Sequence, residues 1–252
     1  MELDKIYNED CLEGMKRIPD GSIDCIICDL PYGTTQNHWD SVIPFDELWL
    51  QYRRICKPSA AIVLFGQEPF SSKLRMSNLE WFRYDWIWKK PRGTGFLNAN
   101  RMPLKNHEVI SVFYKQLPTY NPQFTQGRPY KMRSNHKESS NYGSYRNIGI
   151  DSDGKRYPID VLEFNGVNNQ FPVNGKANTI HPTQKPVNLI RYLVRTYSNE
   201  GDTILDNCMG SGTSAVACIL EKRHFIGFEL NGEYYNEACE RIKTEYNNLR
   251  LL

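Results

Sequence analysis

The chain has 252 residues, 40% of them hydrophobic and 24% charged, and its 31 basic and 29 acidic residues leave a net charge of +2. That is the composition of an ordinary soluble globular protein, long enough for one large α/β domain with an insertion or for two small domains. No apolar run approaches the roughly 18 residues that would span a bilayer, and the start of the chain lacks a signal-peptide pattern, so a cytoplasmic location is expected.

Seven cysteines, an odd number scattered through apparent core elements, argue for reduced thiols rather than a disulfide framework. Cys25 and Cys28 have half of a zinc-site spacing, but an offset of three along a strand sends side chains to opposite faces. No metal is expected.

In chain order, residues 5–7 read as a short strand, and Asp10 can cap a helix over residues 11–17. Residues 23–28 form a short apolar run that stops at Asp29-Leu30-Pro31-Tyr32-Gly33, which predicts a buried strand of a parallel sheet. Ligands gather beyond the carboxyl ends of such strands, so Asp29 and Tyr32 are candidates for a site. The polar loop 34–43 carries Trp39, either a hydrophobic plug or a group that closes over a ligand. A helix with Leu48, Tyr52 and Ile55 on one face follows, then a buried strand over 60–66 and a helix over 69–79. Residues 84–90 and 107–114 are strands by their aromatic and branched content; with only the glycine-rich link 92–95 as a landmark between them, they are expected to pair antiparallel.

From 116 to 180 the texture changes to prolines, glycines, asparagines, tyrosines and basic residues without clear periodicity. Between Lys115 and Pro158 eight basic residues face three acidic ones, a local excess of five that suits a phosphate-facing surface. Arg128, Lys131, Arg133 and Arg146 are its candidate phosphate contacts. Residues 181–186 (His-Pro-Thr-Gln-Lys-Pro) then open a helix with Leu189, Ile190, Leu193 and Val194 inward. Residues 203–213 read as a strand, a tight glycine turn at Gly210 and Gly212, and a helix start at Thr213. Glycines there let a backbone approach a ligand, and a helix N-terminus favours an anion. A further strand ends at Glu229, 23 positions beyond Asp206, where nucleotide-binding α/β folds carry an acid for ribose hydroxyls.

The chemistry that suits Asp29 to Tyr32 is methyl transfer to an exocyclic amine of a nucleobase. The lone pair of such an amine is delocalised into the ring. A carboxylate at Asp29 and the backbone carbonyl of Leu30, accepting its two N–H groups, would favour tetrahedral nitrogen and free that pair. Pro31 restricts Leu30 to extended backbone, and Tyr32 offers a face to a base swung out of the duplex.

Asp-Leu-Pro-Tyr resembles the Asp-Pro-Pro-Tyr signature of S-adenosylmethionine-dependent amino-group DNA methyltransferases, with Leu30 in place of the first proline. Residues 206–213 resemble the family's Asp-x-Phe-x-Gly-x-Gly-Thr cofactor motif, with Cys208 where Phe is usual. Residues 181–186 resemble its His-Pro-Thr-Gln-Lys-Pro block, and the order of these blocks is that of the circularly permuted β group. The resemblance implies a Rossmann-like methyltransferase fold, with a seven-stranded, mostly parallel sheet carrying one antiparallel strand near its edge. It implies a catalytic half over 1–115, a target-recognition insertion over 116–180 and a cofactor half over 181–252.

The implied cofactor is S-adenosyl-L-methionine, held by Asp10, Asp29, Lys185, Asp206, Cys208, Gly210, Gly212, Thr213 and Glu229. Lys185 is expected to pair with its carboxylate. Double-stranded DNA is the implied partner, with Trp39, Arg128, Lys131, Arg133 and Arg146 as its expected contacts, in a bacterial or phage-encoded enzyme; a homodimer and a cognate restriction endonuclease are compatible with it. Asp at position 29 favours adenine N6 over cytosine N4, whose enzymes more often carry Ser there. A cytosine-N4 enzyme, an RNA or protein-glutamine methyltransferase and an inactive DNA-binding homologue remain as alternatives.

Overall fold

The structure is a computed structural model that describes residues 1–33, 41–133, 135–139, 143–147, 149–165 and 184–250. The chain runs β1 (Lys5–Tyr7), α1 (Cys11–Met15), β2 (Ile23–Cys28), α2 (Phe45–Ile55), β3 (Cys56–Gly66), α3 (Phe70–Ser77), β4 (Phe82–Thr94) and β5 (Lys105–Phe113). The short strands β6 (Thr125–Gln126), β7 (Tyr130–Met132), β8 (Asn135–Ser139), β9 (Gly143–Asn147), β10 (Ile150–Ser152), β11 (Lys155–Arg156) and β12 (Val161–Glu163) come next. The last elements are α4 (Val187–Tyr197), β13 (Thr203–Asp206), α5 (Thr213–Leu220), β14 (His224–Phe228) and α6 (Gly232–Arg250).

Local chemistry explains the boundaries nearest the site. Oδ1 of Asp10 accepts the N–H groups of Leu12 at 2.8 Å and Glu13 at 3.1 Å, so the expected cap is present. Asp46 and Glu47 lie in the first turn of α2 and Arg53 and Arg54 in its last, the arrangement its dipole favours.

Among the described residues, eight strands form the main sheet in the order β1-β14-β13-β2-β3-β5-β4-β12. Only β5 runs against the rest, pairing antiparallel with both β3 and β4. The mostly parallel α/β sheet and the antiparallel pairing of β4 with β5 agree with expectation. The count is eight rather than seven because β12 adds in parallel to β4, with Leu162 buried and the Trp88 indole donating to the Phe164 carbonyl at 3.0 Å. This leaves β5 third from its end of the sheet. β4 continues to Thr94, so Arg92 and Gly93 belong to the strand, across a register shift between Lys89 and Thr94.

Alternate residues of each strand enter two cores, one on each face of the sheet. Cys25, Ile27, Ala61, Val63 and Phe65 pack with α4 and α5. Ile26, Cys28, Ile62 and Leu64 pack with α1, α2 and α3. Cys25 and Cys28 therefore lie in different cores.

Residues 122–159 form a compact unit of their own. Its strands pair antiparallel as β7 with β10, β6 with β11 and β8 with β9. These strands of two to five residues are too short for an alternating pattern to stand out in the sequence.

Candidate active site at the carboxyl edge of the sheet

Because β1, β14, β13 and β2 are parallel neighbours, their carboxyl ends share one edge, and each is followed by an acid. Asp10 lies beyond β1, Glu229 after β14, Asp206 at the end of β13 and Asp29 after β2. The registers Ile204 with Cys25 and Leu205 with Ile26 set the β13 and β2 ends side by side. All four acids line one cavity of about 290 Å³. β5 starts at the same edge because it runs the other way, and this brings Glu108 into the cavity wall.

Asp29 is the centre of a half-buried charge cluster built around the buried Lys185. Its Oδ1 accepts the Tyr32 hydroxyl at 2.5 Å and its Oδ2 accepts the Lys185 ammonium. Lys185 also lies 3.5 Å from Oε2 of Glu108, whose other oxygen accepts the Lys90 ammonium. Two carboxylates and two ammoniums thus balance in a region where an unpaired charge would be expensive. Burial pushes the Asp29 carboxyl above its ordinary value, against the pull of Lys185. Burial acts the same way on Glu108, but Lys185 and Lys90 outweigh it and hold that group low. For Lys185, burial disfavours the ammonium, yet Asp29 and Glu108 together raise its pKa. The Tyr32 ring packs on Phe70 with centroids 5.0 Å apart, and Leu30 is buried in the core beneath.

Across the cavity, the glycine turn is tied to the next strand. Oε2 of Glu229 accepts the Gly210 N–H at 2.7 Å while Oε1 accepts that of Asn231 at 2.8 Å. Burial raises the Glu229 carboxyl, and these bonds oppose it. Oδ1 of Asp206 accepts the Cys208 N–H at 3.1 Å, and burial pushes this carboxyl up to about 6. The Thr213 hydroxyl lies 3.1 Å from that of Ser211 and accepts from the Arg241 guanidinium at 3.0 Å.

Of the residues singled out from sequence, Asp10, Asp29, Leu30, Pro31, Tyr32, Lys185, Asp206, Cys208, Gly210, Thr213 and Glu229 line this one cavity. Gly212 does not line it: a Cβ there would lie 3.1 Å from the Ala238 Cβ of α6. Lys185, expected to face a cofactor carboxylate, faces Asp29 and Glu108. Arg128, Lys131 and Arg133 are exposed in the 122–159 unit, with Lys131 paired to Asp151 at 2.8 Å. Arg146 belongs to β9, and its side chain lies outside the described residues, as do Trp39, His181, Pro182 and Thr183.

The sequence reading missed Glu108, Lys90, Tyr52 and Asn207. The Tyr52 hydroxyl donates to Oδ1 of Asn207 at 2.5 Å, which fixes the residue after Asp206 from a helix 155 positions away. Tyr52 had looked like one more apolar position of α2. The available signal for Glu108 was a carboxylate at the head of the apolar run 109–113.

Comparison with known proteins identifies the family. A family model described as DNA methylase matches residues 23–240. The chain is 29% identical to Type II methyltransferase M1.MboII of Moraxella bovis, over 94% of this chain and 96% of that one. It is 30% identical to Type II methyltransferase M.HpaI of Haemophilus parainfluenzae, over 96% of this chain and 75% of the relative. Among solved structures, the M1.HpyAVI-SAM complex superposes with a TM-score of 0.61 at 23% identity, over 94% of this chain and 98% of that one. The cytosine-N4-specific PvuII DNA methyltransferase superposes with a TM-score of 0.63 at 16% identity, over 96% and 91% of the two chains. The sheet with one reversed strand, the acids along its carboxyl edge and a family match across most of the chain lead to one conclusion: this protein belongs to the N6/N4 DNA methylase family and is a DNA methyltransferase that uses S-adenosylmethionine.

Proposed function

We propose that the chain methylates the N6 amino group of adenine in double-stranded DNA, as the modification enzyme of a Type II restriction-modification setting. The observation that carries this reading is that Asp29 and the glycine turn line the same cavity. The chemistry of the lining suits the donor. Asp10, Asp206, Glu229 and the backbone of the glycine turn offer partners for hydroxyl and ammonium groups, while Ile27, Phe65, Met209 and Phe228 provide apolar surface for a purine. Asp10, Asp206, Gly210 and Glu229 are the residues we assign to holding it, with Cys208 and Thr213 beside them.

When bound, the donor supplies an electrophilic methyl group on a sulfonium centre. Asp29 and the Leu30 carbonyl accept the two N–H groups of the target amine, drawing its lone pair out of the ring. Entry of the base exchanges the Tyr32 hydroxyl on Oδ1 of Asp29 for a base N–H, and the freed Tyr32 ring stacks on the base, a contact worth roughly 1–3 kcal/mol. After the nitrogen gains the methyl group, Asp29 takes the proton it sheds and passes it to water. Lys185 holds the other oxygen of Asp29 throughout, so the carboxylate keeps one orientation. Positioning in a cavity of low dielectric supplies most of the acceleration, because no covalent enzyme intermediate is needed.

Residues 1–115 then act as the catalytic half, 181–252 as the cofactor half and 116–180 as the target-recognition insertion. The exposure of Arg128, Lys131 and Arg133 supports the last assignment.

The test is transfer of a labelled methyl group from S-adenosylmethionine to unmethylated duplex DNA, followed by mass spectrometry of the nucleosides. N6-methyladenine is expected. N4-methylcytosine would move the chain to the other branch of its family, and no labelled nucleoside would remove the reading.

A further inference from the structure

The ten residues between β4 and β5 stand out from the rest of the surface. Thr94 pairs with Lys105 at their base, where the Thr94 hydroxyl donates to the Lys105 carbonyl at 3.1 Å. A side chain at Gly93 would come within 2.8 Å of the Leu104 Cβ, so the two strands of the neck cross closely. Beyond the neck the chain is ordered. Gly95, at φ +92, leads into a 3₁₀ turn over Phe96–Asn98, closed by Asn98 N–H to Gly95 O at 2.9 Å. It continues with Arg101 N–H to Asn98 O at 2.8 Å. This is a preformed tip.

The tip presents apolar side chains to solvent. Phe96 is 72% exposed, Leu97 101% and Met102 58%, so four-atom and ring-sized groups stand clear of either core. A monomeric surface seldom gathers such residues in one place without a partner. Residues 89–105 hold no acid; Lys89 and Lys90 are ion-paired with Glu163 and Glu108, and the other basic residues of the segment are Arg92, Arg101 and Lys105. Two such loops would repel each other, which disfavours a second copy of the chain and favours a polyanion with an apolar interior. A base-stacked duplex has that chemistry: phosphates for the basic neck and base faces for the tip.

The loop also stands at the right end of the fold. β4 is parallel to β12 and opposite to β5, as β3 is, so its carboxyl end shares the edge where Asp29 follows β2. The Lys105 ammonium donates to Oε1 of Gln67 at 3.0 Å, and Gln67 lines the Asp29 cavity.

We propose that residues 95–104 form a wedge that enters the base stack beside the target, with Phe96 and Leu97 filling the space an extruded base leaves. This rests on the reading that duplex DNA is the substrate. Opening a base pair normally leaves a gap in the stack; an apolar group of fixed shape that occupies it makes the extruded state easier to reach and slower to close. This wedge lies outside the insertion assigned to sequence recognition.

The test compares the full chain with Leu97→Ser and with Phe96→Ser/Leu97→Ser. Both side chains are exposed, and unchanged melting and cofactor affinity check that the fold is kept. Methylation is measured on a duplex carrying the modified word, as found by sequencing modified bases, and on the same duplex with an abasic site opposite the target. The proposal expects kcat/KM on the paired duplex to fall about tenfold or more, and the deficit to shrink to about twofold when no pair has to be opened. Equal losses on both duplexes, no loss on either, or a parent dimer that becomes monomeric in the variants would overturn it. A parent chain that methylates neither duplex would instead remove the functional reading beneath it.

Discussion

Asp29 works as an acceptor only if its carboxylate is ionised and held still, and the Lys185 ammonium provides both. Glu108 shares that ammonium, and so moderates its hold on Asp29. Asp29→Ala should abolish turnover while calorimetry still detects cofactor binding; full activity in the variant would remove the proposed acceptor. Glu108→Gln should act differently. The groups facing Asp29 are Lys185, Glu108, Tyr32, Cys28 and Asp206; Glu108 raises its pKa, while Lys185 and the Tyr32 hydroxyl lower it. With Glu108 neutral, Lys185 rests on Asp29 alone, so the acid limb of the kcat/KM profile should move to lower pH. The plateau should fall by about tenfold or more, as Asp29 becomes a weaker base. A profile identical to that of the parent would leave Glu108 a purely structural role. Asp206 offers a stability test. Its carboxyl rises from 3.8 to about 6 on folding, so the stability it contributes is complete below the unfolded value and is lost as the pH climbs through the folded one. Above that window the ionised group leaves the chain on the order of 3 kcal/mol less stable than in acid. Asp206→Asn should therefore melt higher than the ligand-free parent at pH 8, by several degrees, with the gap closing in acid. Asp29, Tyr32 and Asp206 were legible in the sequence because each sits in a contiguous motif. Glu108 and Tyr52 were not, since their partners lie 77 and 155 positions away in the chain, at Lys185 and Asn207.

The glycine turn between β13 and α5 shows how an element divides its tasks. Gly210, at φ +53, lines the cavity, and a Cβ there meets nothing within 4 Å. Gly212, at φ +74, has its missing Cβ against Ala238 of α6. Gly210→Val should reduce cofactor affinity more than it lowers the melting temperature, because the new side chain enters open space at the cavity wall. Gly212→Val should do the reverse: both variants carry left-handed strain of about 1–2 kcal/mol, but only the side chain at 212 also meets α6. Paired calorimetry and thermal melts separate the two, and the opposite ordering would mean that the turn is oriented differently. Sequence spacing located both glycines but could not show which side of the turn each one faces. It also located the strands correctly wherever their apolar runs were long. It missed β12, whose three residues become a strand through the packing of Leu162 and the Trp88 bond to Phe164.

At the scale of the whole molecule, the order of segments along the chain differs from their order in space. Asp29 comes 177 residues before Asp206 in the sequence, yet their strands are neighbours in the sheet. No local pattern in the sequence encodes that adjacency. Strand pairing then sets the loops that carry the proposed donor and acceptor sites around a single cavity. The most direct measurement is a crystal structure of the chain with S-adenosylhomocysteine and duplex DNA containing the modified word. The account predicts the sulfur of the spent donor beside the glycine turn, aimed at an extrahelical adenine whose amino group is bonded to Asp29 and the Leu30 carbonyl. A target base still stacked in the duplex, or a cofactor bound away from Asp206 and Glu229, would contradict it.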